Sequence, residues 1–172
     1  MITKIVNIFG GPGAGKSTTC YGVVYELRKA GVEVEFVSEW IKDKVYEGTA
    51  YPFNDQQYTH AKQRKKIRQM LGKVKFIVTD SPLPLSVVYG EHELPEFINY
   101  VLKDFKTYDN VNYLVTRDHP YSNVGRHQTE AEALEVHETV KKLLDDEHLD
   151  YVDVLSSTAV DDIVADVLKL IK

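Results

Sequence analysis

Residues 10–18 constrain the fold of this chain more than any other stretch. They read Gly-Gly-Pro-Gly-Ala-Gly-Lys-Ser-Thr and follow the apolar run at residues 5–9. The spacing G-x-x-x-x-G-K-[ST] between a buried strand and a helix is that of a phosphate-binding loop. Its glycines let backbone N–H groups turn inward around an anion, and the helix N-terminus adds its positive end. An ordinary strand-to-helix turn does not require Lys-Ser-Thr, so the sequence predicts a nucleoside triphosphate site.

Each part of this loop has a predicted role in binding ATP and Mg²⁺. Lys16 can reach the terminal phosphates, and the Ser17 hydroxyl can coordinate Mg²⁺. ATP is the default donor, because no motif that reads the donor base is visible in the sequence. The residues predicted to bind the nucleotide are Gly11, Gly13, Ala14, Gly15, Lys16, Ser17 and Thr18.

Length and composition narrow the class of protein. A chain of 172 residues suits one domain with a sizeable core, which we place at residues 1–172. Its formal net charge of −5 argues against a general nucleic-acid binder. The sequence has neither an apolar run long enough to span a membrane nor a signal-peptide pattern, and its single cysteine cannot form an internal disulfide. We therefore expect a cytoplasmic protein without a membrane partner, and the sequence does not indicate its oligomeric state.

Predicted strands alternate with predicted helices along the chain. Short runs rich in β-branched and aromatic residues predict the strands, and apolar residues at helical spacing predict the segments between them. This alternation favours an α/β architecture, a P-loop NTPase fold whose five-stranded parallel sheet carries helices on both faces and a short lid. The predicted strands are at residues 3–9, 32–37, 74–79, 111–116 and 151–155.

Two acidic residues follow predicted strands. Asp80 ends an apolar strand, which is the Walker B pattern of a carboxylate that holds Mg²⁺ directly or through water. Capping of the next turn is the alternative. Glu39 follows the second strand and could accept a proton from a substrate hydroxyl, although a solvated or helix-capping glutamate would look the same. Asp43 is a weaker candidate for the same task.

Two further segments carry candidate functional groups. Arg117 and Arg126 lie between a strand end and a capping box at residues 129–132, where a lid at about residues 117–128 could close over the phosphates. Gln57 and Arg64 are seven residues apart, so they share one face of a predicted helix and could meet a substrate base. The alternatives are a solvated loop and an exposed helix face.

Seven basic residues lie between positions 62 and 75, with no acidic residue among them. Such a run is usually a solvated helix face. The more specific interpretation is contact with the phosphates of a polynucleotide. The seven residues are Lys62, Arg64, Lys65, Lys66, Arg68, Lys73 and Lys75.

Over nearly its whole length the chain resembles the P-loop nucleoside and nucleotide kinases, in particular the deoxynucleoside-kinase-like group. Glu39, in Ser38-Glu39-Trp40, matches the glutamate that activates the substrate hydroxyl in that group. Gln57 and Arg64 match a glutamine that pairs with the base and an arginine seven residues later. Asp80-Ser81 loosely resembles the acidic residue and serine that follow the third strand in that group. The resemblance also implies that Arg117 and Arg126 are lid arginines.

The motifs Asp80-Ser81-Pro82-Leu83 and Gly125-Arg126-His127-Gln128-Thr129-Glu130 are more similar to those of small bacteriophage P-loop kinases. Some of those resemble enzymes that phosphorylate hydroxymethyluracil within DNA, a substrate that the basic run would suit. The resemblance implies an ATP- and Mg²⁺-dependent kinase whose acceptor is a hydroxyl of a nucleoside, a nucleotide or a modified base in DNA. A regulatory or switch-type P-loop ATPase, with water as the acceptor, is the alternative.

Overall fold

Strands and helices alternate throughout the part of the chain that the computed structural model describes, residues 1–48, 55–90, 92–122 and 129–171. All five predicted strands and the helices between them are confirmed, with ends that shift by a few residues. The elements are β1 Lys4–Phe9, α1 Lys16–Lys29, β2 Val34–Val37, α2 Ile41–Tyr46, α3 Gln56–Arg68, β3 Phe76–Thr79, α4 Leu85–Val88, α5 Pro95–Phe105, β4 Asp109–Thr116, α6 Glu130–Asp146, β5 Val152–Leu155 and α7 Ala159–Lys169.

The strands form one parallel sheet in the order β2-β3-β1-β4-β5. The predicted five-stranded parallel sheet is therefore confirmed. Strand β1 lies at its centre, where Lys4 is in register with Phe76 of β3 on one side and with Asp109 of β4 on the other. Parallel neighbours need a crossover connection, which explains why a helix follows each strand.

Side chains of β1 alternate between two cores, one on each face of the sheet. Val6 and Ile8 pack with residues of α1 and α7 on one face. Ile5 and Phe9 pack with residues of α3 to α6 on the other. A central parallel strand is buried on both faces, so its sequence is almost continuously apolar. No helix within the described ranges combines the length and the apolar character needed to cross a membrane.

The carboxyl ends of the parallel strands meet at one edge of the sheet. The phosphate-loop sequence follows β1 there, Ser38 and Glu39 follow β2, and Asp80 follows β3. Arg117 follows β4 at the same edge. Ligands of open α/β sheets bind at this edge. The topology therefore brings together residues that are up to about a hundred positions apart in the sequence.

Candidate functional site

The loop between β1 and α1 has the backbone conformation of an anion cradle. Gly13 and Gly15 have φ values of 78° and 87°, in the left-handed region that residues with a Cβ rarely adopt. Gly15 is also the N-cap of α1, so the first N–H groups of that helix face the loop. Backbone donors at a helix N-terminus are suited to bind phosphate. This is the geometry that the sequence motif predicts.

Lys16 folds back over this loop. Its Nζ donates hydrogen bonds to the carbonyl oxygens of Gly10 and Gly11, each at 2.9 Å. The ammonium group therefore lies above the cradle, where a terminal phosphate would be attracted to its charge. Ala14 is buried, and Thr18 is exposed at the first turn of α1. The predicted nucleotide-binding residues lie between positions 11 and 18, on the loop and the first turn of this helix.

The two residues predicted to hold Mg²⁺ are in direct contact. Ser17 Oγ donates a hydrogen bond of 2.5 Å to Asp80 Oδ2, and the Asp80 side chain is almost fully buried. Mg²⁺ prefers oxygen ligands and is commonly held by one or two protein groups together with nucleotide phosphates and water. A hydroxyl and a carboxylate side by side, at the mouth of a phosphate loop, fit that preference. The structure thus places the predicted metal ligands together.

Glu39 lies next to this pair. Its backbone N–H donates a hydrogen bond of 2.9 Å to Asp80 Oδ1, which fixes the end of β2 against the end of β3. Burial raises the pKa of the Glu39 carboxyl; the charge of Lys16 opposes this effect, and the charge of Asp80 adds to it. A carboxylate with raised proton affinity, close to a phosphate loop, is chemically able to act as a general base. The side chain of the rival Asp43 lies outside the described residues.

Helix α3 holds the residues on either side of Glu39. Lys66 Nζ donates hydrogen bonds to the carbonyl oxygen of Ser38 at 2.6 Å and to its hydroxyl at 3.0 Å. Gln63 Oε1 accepts the backbone N–H of Trp40 at 2.9 Å. Sequence reasoning missed Gln63 entirely and read Lys66 only as part of a basic run. The one available signal is that both lie on α3, the second helix after Glu39 in the chain.

Gln57 and Arg64 lie on one side of α3, as predicted, and both are engaged within the protein. Gln57 Nε2 donates a hydrogen bond of 2.8 Å to Glu93 Oε2, while the rest of its side chain is exposed. Arg64 makes a two-point ion pair with Asp104 of α5, at 2.6 and 2.7 Å. The interpretation of this face as substrate-binding stays a prediction.

His60 lies between Gln57 and Arg64 and is part of the core. Its ring is 2% exposed and meets the rings of Phe97 and Tyr100 edge-on. Its Nδ1 is 3.4 Å from Ser86 Oγ, and within the described ranges its Nε2 is buried without a hydrogen-bond partner. Burial lowers the pKa of His60 to about 4, so the ring is neutral at physiological pH.

The basic run divides into engaged and exposed residues. Lys66 and Arg64 have the partners described above, and Lys62 Nζ lies 4.9 Å from the ring centre of Tyr58 and 6.0 Å from that of Trp40. A solvated helix face therefore describes only part of the run. The remaining members are exposed, namely Lys65, Arg68, Lys73 and Lys75.

Arg117 follows β4 and its side chain is only 12% exposed. Its guanidinium donates to Glu130 Oε1 at 2.6 Å and to the carbonyl oxygen of His119 at 3.1 Å, and it lies 5.1 Å from the ring centre of Tyr121. Arg117 is thus held against the start of α6. Arg126, the second arginine of the expected lid, lies at residues 123–128, outside the described residues.

Two other groups near the loop were not indicated by the sequence. Asp118 accepts hydrogen bonds from the hydroxyls of Ser156 and Ser157, which ties the end of β4 to the end of β5 beside the phosphate loop. His137 of α6 accepts a hydrogen bond from the backbone N–H of Gly11 at 3.4 Å. Both are contacts between residues far apart in the chain, for which a single sequence offers no signal.

Comparisons with known proteins agree with this architecture. The model of the AAA domain family matches residues 5–161. No curated protein matches the chain significantly. Among solved structures, thymidylate kinase from Ehrlichia chaffeensis has a similar fold, with a TM-score of 0.68, 13% sequence identity, and coverage of 100% of both chains. The P-loop NTPase fold predicted from the sequence is therefore confirmed.

Proposed function

The chain belongs to the AAA domain family, and we propose that it is a P-loop kinase. It transfers the γ-phosphoryl group of ATP, with Mg²⁺, to a hydroxyl of a nucleoside, a nucleotide or a modified base in DNA. The observation that carries the proposal is the contact of Asp80 with both Ser17 Oγ and the backbone N–H of Glu39, at 2.5 and 2.9 Å. One carboxylate thereby joins the metal-binding hydroxyl to the candidate base. Residues 1–172 act as one kinase domain.

The donor half of the site is the phosphate loop with its two metal ligands. The loop N–H groups and Lys16 hold the triphosphate, while Ser17 and Asp80 hold Mg²⁺. The metal supplies positive charge that offsets the negative charge on the transferring phosphoryl group. Phosphoryl transfer depends mainly on positioning and on such electrostatic stabilisation, which are the tasks these residues are placed to perform.

Glu39 is the residue that distinguishes a kinase from an ATPase with water as its acceptor. Its carboxylate takes the proton of the acceptor hydroxyl as the hydroxyl oxygen forms a bond to the γ-phosphorus. The bond from the γ-phosphorus to the bridging oxygen of the β-phosphate breaks, and ADP leaves. Two observations support a position of Glu39 at the edge of the donor site. The charge of Lys16 acts on the Glu39 carboxylate, and the backbone N–H of Glu39 donates a hydrogen bond to Asp80. A raised proton affinity suits a group that must remove a proton near neutral pH.

Arg117 and Arg126 stabilise the charge that develops on the phosphoryl group. In the described conformation Arg117 is bound to Glu130 at 2.6 Å, so it would exchange this partner for phosphate oxygens when the lid, at about residues 117–128, closes. A guanidinium group suits this exchange because it forms paired hydrogen bonds with either a carboxylate or a phosphate.

Gln57 and Arg64 are the proposed acceptor-binding residues. Gln57 is exposed, and the carbonyl oxygen of its amide would accept a hydrogen bond from a donor group on a base edge. For Arg64 to bind the acceptor, the ligand would compete with Asp104, which pairs with Nε and Nη2 on one edge of the guanidinium. A small nucleoside or nucleotide is compatible with both residues.

A base within DNA, such as hydroxymethyluracil, is a second candidate acceptor. It is favoured by the exposed Lys65 and Arg68, which would attract a polynucleotide backbone, and by the Trp40–Tyr58 ring pair beside Glu39. The ring centres are 5.3 Å apart and Lys62 lies over both. Aromatic rings next to positive charge are typical of surfaces that bind unstacked bases.

Incubation with γ-labelled ATP and Mg²⁺ tests these proposals. Four acceptor pools are compared: nucleosides, nucleoside monophosphates, 5′-hydroxyl oligonucleotides, and DNA that contains hydroxymethylated bases. Label in one pool identifies the acceptor class. Release of labelled phosphate in every pool, without transfer to any acceptor, would overturn the kinase proposal and favour a regulatory ATPase. A Lys16→Ala variant controls for contaminating kinases, because it lacks the charge over the phosphate loop.

A further inference from the structure

Helix α6 touches the phosphate loop at Gly11. A Cβ atom placed on Gly11 would lie 2.4 Å from the carbonyl oxygen of Ala133 and 2.9 Å from Cβ of His137. Both distances are shorter than packed protein atoms allow, and the first involves backbone that cannot rotate away. Only glycine therefore fits here. The second residue of the loop is held directly against the first two turns of α6.

His137 lies on the buried face of α6 although its ring is polar. Ala133, Val140 and Leu144 are buried and share its helix face, since they lie four residues before it and three and seven after it. The His137 ring is half-buried, and its Nδ1 accepts the N–H of Gly11 at 3.4 Å. A polar atom in apolar surroundings costs free energy unless it is hydrogen-bonded. The contact with Gly11 supplies that hydrogen bond to Nδ1 of His137.

Gly11 connects His137 to the lysine of the loop. The carbonyl oxygen of Gly11 accepts a hydrogen bond from Lys16 Nζ at 2.9 Å, while the N–H of the same residue faces His137. A shift of Gly11 would thus move an acceptor that orients the Lys16 ammonium. His137 is placed to influence nucleotide binding without touching the nucleotide.

Only the neutral ring can make this bond, because a protonated imidazole carries hydrogen on both nitrogens and accepts none. Burial lowers the pKa of His137 below its ordinary value of 6.5, and the charges of Lys16 on the loop and Lys141 on α6 also lower it. Glu138 on α6 and Asp153 on β5 act in the opposite direction. The accepting form therefore predominates at neutral pH and is lost in acid.

We propose that His137 is a positioning residue of the nucleotide site, whose neutral Nδ1 holds the Gly11 N–H and keeps the phosphate loop in its binding shape. The inference rests on the proposed function, since it supposes that a nucleotide binds at this loop. His137 lies outside the sequence motif, and its protonation makes nucleotide affinity dependent on pH.

Calorimetric titration with Mg-ADP at pH 8.0 tests the contact. His137→Leu keeps an apolar residue on the buried face of α6 but removes the acceptor, and we expect it to weaken binding about threefold to tenfold. His137→Asn places an amide oxygen near the position of Nδ1, and we expect affinity within about twofold of wild type. Circular dichroism and thermal unfolding show whether each variant is folded. If His137→Leu is unfolded, the pH comparison below decides alone.

The same titration at a series of pH values below 8.0, down to the lowest at which both proteins stay folded, separates positioning from simple packing. Over this series wild type should lose more affinity than His137→Asn, because asparagine does not titrate and the protonation of ADP affects both proteins equally. His148→Asn removes an exposed histidine beyond the end of α6, at a φ of 51° that asparagine tolerates, and should follow wild type.

Two results would overturn the inference while leaving the proposed function intact. One is that His137→Leu binds Mg-ADP as tightly as wild type at pH 8.0. The other is that wild type and His137→Asn lose affinity in parallel as the pH falls. Failure of wild type to bind Mg-ADP at pH 8.0 would instead overturn the proposed function, and the inference with it.

Discussion

Ser17 Oγ and Asp80 Oδ2 lie 2.5 Å apart, although 63 residues separate them in the sequence. One residue lies in the first turn of α1, and the other follows the last residue of β3, the neighbour of β1 in the sheet. The second oxygen of Asp80 accepts the backbone N–H of Glu39 at 2.9 Å. A single carboxylate thus links the phosphate loop to the strand end that bears the candidate base.

Replacement of Asp80 by asparagine tests the metal role. The amide would keep the size of the side chain but lose its negative charge, so Mg²⁺ would be held more weakly. We expect phosphoryl transfer to fall roughly a hundredfold or more, and the Mg²⁺ concentration for half-maximal activity to rise. Initial rates measured across a Mg²⁺ series check this. Asp109→Asn, at the far end of the sheet, should behave as wild type, and an unchanged Mg²⁺ requirement in Asp80→Asn would contradict the assignment.

Replacement of Glu39 by glutamine separates binding from transfer. Nucleotide affinity should be retained, while transfer to the acceptor falls about 10²- to 10⁴-fold because the base is lost. Since burial raises the pKa of Glu39, wild-type kcat should rise with pH through a value above the 4.5 of an ordinary glutamate. This limb should be missing in the residual activity of the variant. Glu35→Gln, on β2 in an exposed ion pair with Arg28, is the matched control. Full transfer by Glu39→Gln would remove Glu39 from the mechanism.

Replacement of Asp104 by asparagine tests the ion pair that holds Arg64. The side chains of Arg64 and Asp104 are 25% and 10% exposed, and loss of the charge partner would leave the guanidinium poorly compensated. We expect the free energy of unfolding to fall by about 2 kcal/mol at pH 7. Asp166→Asn, in an exposed pair with Lys169, should cost less than about 0.5 kcal/mol. Urea unfolding measures both.

The pH dependence of the difference in unfolding free energy between wild type and Asp104→Asn provides a second check. Burial raises the pKa of Asp104, but the hydrogen bonds and charge of Arg64 outweigh it and lower the pKa below 3.8. The pair therefore contributes its full stability above pH 3.8 and loses it as the pH falls through the lowered value. The gap between wild type and Asp104→Asn should narrow below about pH 4. A gap that stays constant in acid would show that packing, rather than charge, is responsible.

His60 should make the fold sensitive to acid. Burial holds its pKa near 4 in the folded protein, against 6.5 for an ordinary histidine, so the unfolded chain takes up a proton first as the pH falls. Stability that is present above pH 6.5 is then lost as the pH approaches 4, by roughly 3 kcal/mol in total. His60→Leu should show a flatter profile in urea unfolding between pH 7.5 and 4.5. His148→Asn should keep the wild-type slope, and equal slopes for all three proteins would refute the prediction.

The strand ends were predictable because one physical rule places them. Apolar runs identify the strands, and the carboxyl ends of parallel strands share an edge, so Glu39 and Asp80 could be expected near the phosphate loop. Their contact at that edge agrees with the expectation. The Thr129–Glu132 capping box was likewise readable, since its signal lies within four consecutive residues.

Contacts between helices were not predictable in the same way. Arg64 reads as a member of a charged helix face, and nothing local indicates that Asp104, 40 residues later, pairs with it. The roles of Lys66 and Gln63 were not predictable for a similar reason. They hold the backbone beside Glu39 through tertiary contacts, which helical periodicity does not specify. Periodicity tells which residues share a face but not which groups oppose that face. Arg126 lies outside the described residues, so its role stays a prediction.

The central position of β1 also governs when the protein can assemble during its synthesis. Lys4 pairs in register with Phe76 and Asp109, so β1 gains its second neighbour only after β4, more than a hundred residues later in the chain, has been translated. Contacts of such long sequence separation form slowly, because a large loop must close before they are made. Until β3 has been made, the apolar residues 5–9 have no neighbouring strand to pair with. A nascent chain of this protein thus depends on late-emerging segments, and truncation before β4 would leave its first strand without one of its two neighbours.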